Sequence, residues 1–374
     1  MNRHIYADNA ATTKIDSTAF EAMLPYLKED FSNPSQPYSF SRESKKAISK
    51  AREIIAECIG ADPEEIYFTS GGTESDNWVI KSLAFSDYDY RATITSAFEH
   101  HAVLRSCSAI EKMGYPVAYI YPDANGEIRP DELKSLLTNK TRLVSIMYAN
   151  NEIGSIQPIQ DLCKIAHESG ALFHTDAVQA VGHVKIDVKS LGVDFLSASA
   201  HKFNGPKGIG FLYIKKGVNL IPYINGGAQE NGYRSGTENV ASIVAMAIAL
   251  KNNCEAMDKN TAYVLSLEKQ LLKALNEAEI AYVRNGGENA LPGLMSLSFR
   301  DFDGEAILHR MDLMGISIST GSACDSVKTE ISHVLKAIRM DEELARGTIR
   351  ISLGKNNTVE DVVDISNALI KIIK

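Results

Sequence analysis

Five stretches of this chain set polar, reactive side chains directly behind short apolar runs. In Phe68-Thr69-Ser70-Gly71-Gly72-Thr73-Glu74-Ser75-Asp76-Asn77 a β-rich run passes through two glycines into a helical pattern. A helix starting there exposes free N–H groups and the positive end of its dipole, so Gly72 and Thr73 are candidates to hold a phosphate. It is not a nucleotide loop, since neither GxxxxGK[ST] nor a GxGxxG after the first strand is present. His174-Thr175-Asp176-Ala177-Val178-Gln179 and Ser199-Ala200-His201-Lys202 follow two further runs, and glycine-rich Gly205-Pro206-Lys207-Gly208-Ile209-Gly210 comes after the lysine. Asp176 lies 26 positions before Lys202, room for one crossover unit between them. The remaining two stretches are Glu99-His100-His101 and Asn150-Asn151-Glu152.

An amine at a strand end, a carboxylate, an anion cradle and an imidazole make up what a pyridoxal-phosphate site requires. Lys202 would carry the cofactor as a Schiff base, and Asp176 would keep the pyridine nitrogen protonated, which makes the ring an electron sink. An imidazole would cover the ring face and an amide would reach the ring hydroxyl, with His100 and His101 equally eligible on chemistry alone. Each residue has a plainer reading in isolation. Lys202 could be a surface lysine, Asp176 a helix N-cap and the glycine turn an ordinary strand-to-helix connection. The set together outweighs those readings.

Elements that could position such a set are legible from about residue 60 onward. Short β-rich runs at Ile66–Thr69, Ala92–Thr95, Val117–Ile120, Leu143–Met147, Leu172–His174, Asp194–Leu196 and Ile209–Tyr213 alternate with helical patterns. Several runs are apolar without alternation, as in strands covered on both faces, which predicts an α/β fold with a mostly parallel sheet. Such sheets bind ligands beyond the carboxyl ends of their strands, where the polar stretches fall. A helical pattern from about Asn239 to Met257, a second stripe at Leu267, Leu271, Leu272 and Leu275, strand-like Met295–Phe299 and a terminal helix predict a smaller α+β domain. With 374 residues and 44% hydrophobic content, two cores are expected.

A formal charge of -8 argues against a partner with a phosphate backbone, so no direct nucleic-acid binding is expected. The opening MNRHIYADNAATT lacks the apolar run of a secretory signal, and no stretch approaches a membrane span, giving the expectation of a cytoplasmic protein without membrane association. Five cysteines show no CxxC spacing, and no metal site is expected. Cys58 falls on the helical stripe Ala47, Ile48, Ala51, Ile54, Ile55, Cys58, Ile59 that stops at Gly60, and Cys107, Cys163 and Cys254 also sit among apolar neighbours, so these four read as packing. Cys324 differs: Ser319-Thr320-Gly321-Ser322-Ala323-Cys324-Asp325-Ser326 is small and polar, the context of an accessible, reactive thiol.

Taken in order, these motifs, together with Tyr6-Ala7-Asp8-Asn9-Ala10-Ala11-Thr12-Thr13, Asn33-Pro34-Ser35, Arg234-Ser235-Gly236-Thr237-Glu238-Asn239 and Ser322-Ala323-Cys324, resemble the NifS/IscS-like cysteine desulfurases of the class V aminotransferase superfamily over almost the whole chain. The resemblance implies PLP fold type I, with a large PLP-binding domain at 13–252 and a small domain formed by 1–12 and 253–374. It implies that Lys202 is the Schiff-base lysine, Asp176 the pyridine partner, Gln179 and Asn151 the ligands of the ring hydroxyl, and His100 the stacking acid–base histidine. Gly72, Thr73, Ser199 and His201 would hold the phosphate. Thr237 would reach the phosphate of the other subunit in a homodimer with shared active sites. Arg350 would grip the substrate carboxylate, with Asn151 beside it. Departures from the family pattern are Thr320 for a serine, Val327 and Ile331 for glycine and proline, and Tyr38 for histidine.

The implied reaction converts L-cysteine to L-alanine. Lys202 removes the α proton, His100 manages the thiol proton, and Cys324 takes the sulfur as a persulfide for an acceptor protein, either an iron–sulfur scaffold or a tRNA or thiocofactor sulfurtransferase. A selenocysteine lyase or another class V PLP enzyme would share Lys202 and Asp176 without needing Cys324. A non-catalytic scaffold would need neither.

Overall fold

The computed structural model describes residues 3–87, 89–321 and 331–374. The chain begins with β1 (Ile5–Tyr6), α1 (Ser17–Lys28), α2 (Arg42–Ile59), β2 (Ile66–Thr69), α3 (Gly72–Phe85), β3 (Ala92–Ser96), α4 (His101–Lys112) and β4 (Val117–Ile120). It continues through α5 (Pro130–Leu136), β5 (Thr141–Ser145), α6 (Ile159–Glu168), β6 (Leu172–Asp176), α7 (Val188–Leu191), β7 (Phe195–Ser199) and β8 (Gly210–Ile214). Then follow α8 (Val240–Glu255), α9 (Met257–Glu277), β9 (Val283–Asn285), β10 (Leu294–Ser298), α10 (Gly304–Leu313), β11 (Ile316–Ser317), α11 (His333–Ala337), α12 (Glu342–Arg346), β12 (Thr348–Ser352) and α13 (Val359–Ile373).

Seven strands form one sheet in the order β2-β8-β7-β6-β5-β3-β4. β7, β6, β5, β3 and β4 pair in parallel, and β8 runs antiparallel to both of its neighbours. The mostly parallel sheet expected from the apolar runs is present. β8 is reversed because residues 200–209 are too few for a crossover, so the chain turns straight back from β7. Both faces of the sheet are covered. One faces a core containing Val144, Phe173, Leu196 and Phe211, and the other a core containing Trp78, Leu143, Phe195 and Leu212. The residue stripe read from α2 ends as expected at Gly60, whose φ of +71° is the left-handed cap that glycine adopts without strain.

A third core gathers Leu267, Leu271 and Leu275 of α9, Leu297, Phe299, Ile349 and Ile351, and with them Ile5 and Ala7 from the other end of the chain. β9, β10 and β12 make a three-stranded antiparallel sheet here, and β1 pairs in parallel with β11. The N-terminal segment thus starts in the C-terminal core, and by Thr13 it has reached the large sheet, where the Thr13 N–H donates to the His201 carbonyl at 2.9 Å. Cys107 and Cys163 are buried, in keeping with packing, whereas Cys58 and Cys254 are half-buried, with their thiols close enough between α2 and α8 to influence one another.

β2, which leads into the glycine turn, is braced by a buried ion pair. Arg52 on α2 meets Glu230 at 2.7 and 2.9 Å, and Glu230 also accepts from the Phe68 amide at 2.9 Å. The guanidinium sits 4.4 Å over the Phe68 ring. The Glu230 side chain is only 4% exposed, so removing its partner strands a buried charge. Arg52→Ala is expected to cost about 3–5 kcal/mol, read as a lowered urea midpoint. Arg52→Lys, which keeps the charge but not the fork, should fall between the two.

Candidate active site

The parallel strands of the sheet end on one edge, and residues beyond the ends of β2, β3, β5, β6 and β7 line a single cleft of about 1510 Å³. Gly72 and Thr73 come from the start of α3, His100 and His101 from the start of α4, Asn151 and Glu152 from the turn after β5, Asp176 and Gln179 from the end of β6, and Ser199, His201 and Lys202 from the end of β7. Arg350 enters from β12 of the other core, and Asp8, Ala10 and Ala11 from the N-terminal segment. Of the residues singled out from sequence, Lys202, Gly72, Thr73, His100, Asn151, Asp176, Gln179, Ser199, His201 and Arg350 meet here. Thr237 lies apart from the cleft, exposed on the stretch after Gly236, and Arg234 ties that stretch to Glu74 of α3 at 2.9 and 3.1 Å. Cys324 lies outside the described residues.

Lys202 follows β7 in a short 3₁₀ turn and donates from Nζ to the carbonyls of Ala10 at 2.5 Å and Ala11 at 2.9 Å. Gln179 Nε2 donates to the same Ala10 oxygen at 2.9 Å. Asp176 is buried and accepts from the Val178 amide at 2.9 Å; burial pushes its carboxyl up to about 6, against the pull of that amide and of Lys202. Behind it, His174 is fully buried between Ser145 at 2.8 Å and Ser197 at 2.9 Å, and burial lowers it to about 3. His100 caps α4, its Nδ1 accepting from the Ala102 amide at 3.1 Å, which leaves the hydrogen of the neutral ring on Nε2. Burial, then Lys202, His101 and His333, lower it to about 4. His101 instead packs against His333, ring centroids 4.7 Å apart.

Arg350 is buried, donating to Asp8 at 2.7 Å and to the Asn151 carbonyl at 2.8 Å, with its Nε unpartnered among the described residues. Sequence reasoning missed Asp8 as the counter-charge of Arg350, Asp76 at the cleft wall and the Ser145–His174–Ser197 chain. Asp76 falls in the glycine-turn motif and His174 two residues before Asp176, so position could have flagged both. Asp8 could not be paired with Arg350 without the fold.

The residues present fit pyridoxal phosphate. Gly71, the N-cap of α3, has φ 147° and ψ -176°, backbone that glycine alone adopts readily, and a Cβ on Gly72 would collide with Val178 Cγ2, so the turn is drawn tight against the segment behind Asp176. Asp76 Oδ1 is buried in the cleft wall, with no hydrogen-bond partner among the described residues and His174 Nε2 3.6 Å away. Burial and the neighbouring Asp176 raise its carboxyl, which favours the neutral acid.

The model of the aminotransferase class-V family matches residues 5–365. A cysteine desulfurase IscS of Dictyoglomus turgidum is 48% identical over 376 residues, covering 100% of this chain and 95% of that one. Among solved structures, a NifS-like protein superposes with a TM-score of 0.94 at 37% identity, covering 99% of both chains. SspA in complex with cysteine superposes with a TM-score of 0.85 at 37% identity, covering 95% of this chain and 100% of that one. The chain belongs to the class-V aminotransferase family. It is accordingly a pyridoxal-phosphate-dependent enzyme of fold type I.

Gly72→Ala should push the α3 turn off Val178 and weaken cofactor retention about tenfold or more, measured by absorbance after dialysis. His100 carries a pH consequence. Its folded value of about 4 lies below the ordinary 6.5, so the folded protein binds fewer protons between those limits. Its contribution is therefore complete above pH 6.5 and lost as pH falls toward 4. Cofactor-free wild type should lose more stability than His100→Gln between pH 6.5 and 4.5, in paired denaturation curves.

Proposed function

We propose that this chain is a cysteine desulfurase: it converts L-cysteine to L-alanine and places the sulfur on Cys324 as a persulfide. The convergence of Lys202, Asp176, His100 and Arg350 on one cleft carries this reading, and the family membership and the desulfurase relatives support it. Lys202 would hold the cofactor, with Asp176 at its ring nitrogen, Gln179 and Asn151 at its hydroxyl, and Gly72, Thr73, Ser199 and His201 around its phosphate. Once bound, pyridoxal phosphate supplies an electron sink for the substrate α-carbon.

The chain's own groups do the rest. Arg350, already aimed into the cleft by Asp8 and the Asn151 carbonyl, takes the substrate carboxylate in a planar two-point grip. The Lys202 amine lies between the Ala10 and Ala11 carbonyls, which hold it at the cleft without neutralising it, and it moves the α proton. His100 presents Nε2 to the cleft and serves the proton traffic of the substrate thiol. The Cys324 thiolate attacks the substrate sulfur, so that an S–S bond forms as the C–S bond breaks and the carbon ends as alanine.

The cofactor domain comprises 13–252 and the small domain 1–12 with 253–374. The working unit is a homodimer in which Thr237, exposed in the single chain and held near α3 by the Arg234–Glu74 pair, completes the phosphate site of the other subunit. The persulfide passes to an acceptor protein, an iron–sulfur scaffold or a tRNA or thiocofactor sulfurtransferase, in the cytoplasm. No described helix is long and apolar enough to cross a membrane.

Cys324→Ser should keep bound cofactor and its absorbance change on adding cysteine, yet form no protein persulfide. Release of sulfur from cysteine at the wild-type rate in this variant sinks the assignment and leaves the reading of a lyase that does not use Cys324.

A further inference from the structure

We propose that Glu152 is a positioning residue for the sulfur-transfer step, its carboxylate holding both ends of the segment that carries Cys324. The inference rests on the reading of Cys324 as the sulfur carrier. Residues flanking that segment on either side come to the same oxygen. On the downstream side the Ser332 hydroxyl donates to Glu152 Oε2 at 2.5 Å, and Ser332 is also the N-cap of α11, accepting from the Val334 amide at 3.0 Å. On the upstream side Gly321 packs so closely on Glu152 that an added Cβ would collide with Oε2 and fall 3.6 Å from the Ser332 Cβ. Only glycine leaves room for the carboxylate there.

Glu152 is well suited to be the fixed point. It is buried, and its amide donates to the Asn150 side chain at 2.8 Å, as does the next amide, from Ile153, at 3.0 Å. Asn150 is itself tied by Nδ2 to the Phe98 carbonyl at 2.9 Å, next to the Glu99-His100 motif. Through this turn Glu152 is registered to the strand ends that set Lys202 and His100, and the Asn151 carbonyl between them holds Arg350. A hydrogen bond to so rigid a base fixes the span between Gly321 and Ser332 at the cleft wall. That span sets the reach of Cys324 toward the substrate sulfur. It has no part in the earlier steps on the α-carbon.

Three variants test this in the cofactor-loaded enzyme, with two readouts: the cysteine-induced absorbance change, and persulfide on Cys324 by mass spectrometry of the alkylated peptide. Glu152→Ala is expected to keep the absorbance change and lower the rate of persulfide formation by on the order of tenfold to a hundredfold, the cost of a misplaced reacting group. Glu152→Gln keeps an acceptor for the Ser332 hydroxyl and should restore most of that rate. Gly321→Ala should show the Glu152→Ala defect, and adding it to Glu152→Ala should cause no further loss, because the colliding oxygen is then already gone. Persulfide formation at the wild-type rate in Glu152→Ala, or equal loss of both readouts in Glu152→Ala and Glu152→Gln, overturns the inference. Cys324→Ser run alongside separates the two levels: if it still delivers sulfur, the reading of Cys324 fails, and if it is silent while Glu152→Ala is unimpaired, only the positioning role fails.

Discussion

The arrangement depends on one short strap, the N-terminal segment from Ile5 to Thr13. It begins as β1 in the C-terminal core, and Asp8 there supplies the counter-charge of Arg350. Two residues further the Ala10 carbonyl accepts from both Lys202 and Gln179, and Thr13 then joins the turn after β7. The groups proposed to bind the substrate carboxylate and the cofactor are thereby held by successive residues of one chain segment. Tyr6 stiffens it by donating to the Asp8 and Thr12 carbonyls, both at 2.9 Å.

Around that strap the site shows how a parallel sheet concentrates chemistry. Strands running the same way deliver their ends to one edge, and each following helix or turn starts with polar groups that need partners. Here the ends of β2, β3, β5, β6 and β7 deliver an anion cradle, an imidazole, an amide turn, a carboxylate and an amine. Burial then sets the protonation states. His100 and His174 are kept neutral, and Asp76 and Asp176, adjacent and buried, are pushed toward sharing one charge rather than carrying two. A cationic ring nitrogen placed beside Asp176 would relieve that repulsion.

Much of the fold was legible because the apolar runs and helical stripes are long and unbroken. The runs at Ile66–Thr69 and Val117–Ile120 coincide with β2 and β4, and the stripe ending at Gly60 is α2. Short two- and three-residue strands such as β1, β9 and β11 carry too few residues to show a period, and they exist only because a partner strand lies beside them. The same limit governed Cys58 and Cys254. Each sits among apolar neighbours in its own helix, and only the packing of α2 on α8 brings the two half-buried thiols together.

By itself the sequence determined the class of chemistry, since Lys202, Asp176, the glycine turn and the His100-His101 pair are each recognisable from type and local spacing at the ends of apolar runs. Tertiary structure decided which groups act on one another. Arg350 is matched to Asp8 and Asn151, Lys202 to Ala10 and Ala11, and Glu152 to Gly321 and Ser332, pairs separated by about 170 to 340 positions that no local period records. Spacing along the chain encodes which face of an element a side chain occupies. Only the closing of two cores around one segment encodes what that face meets.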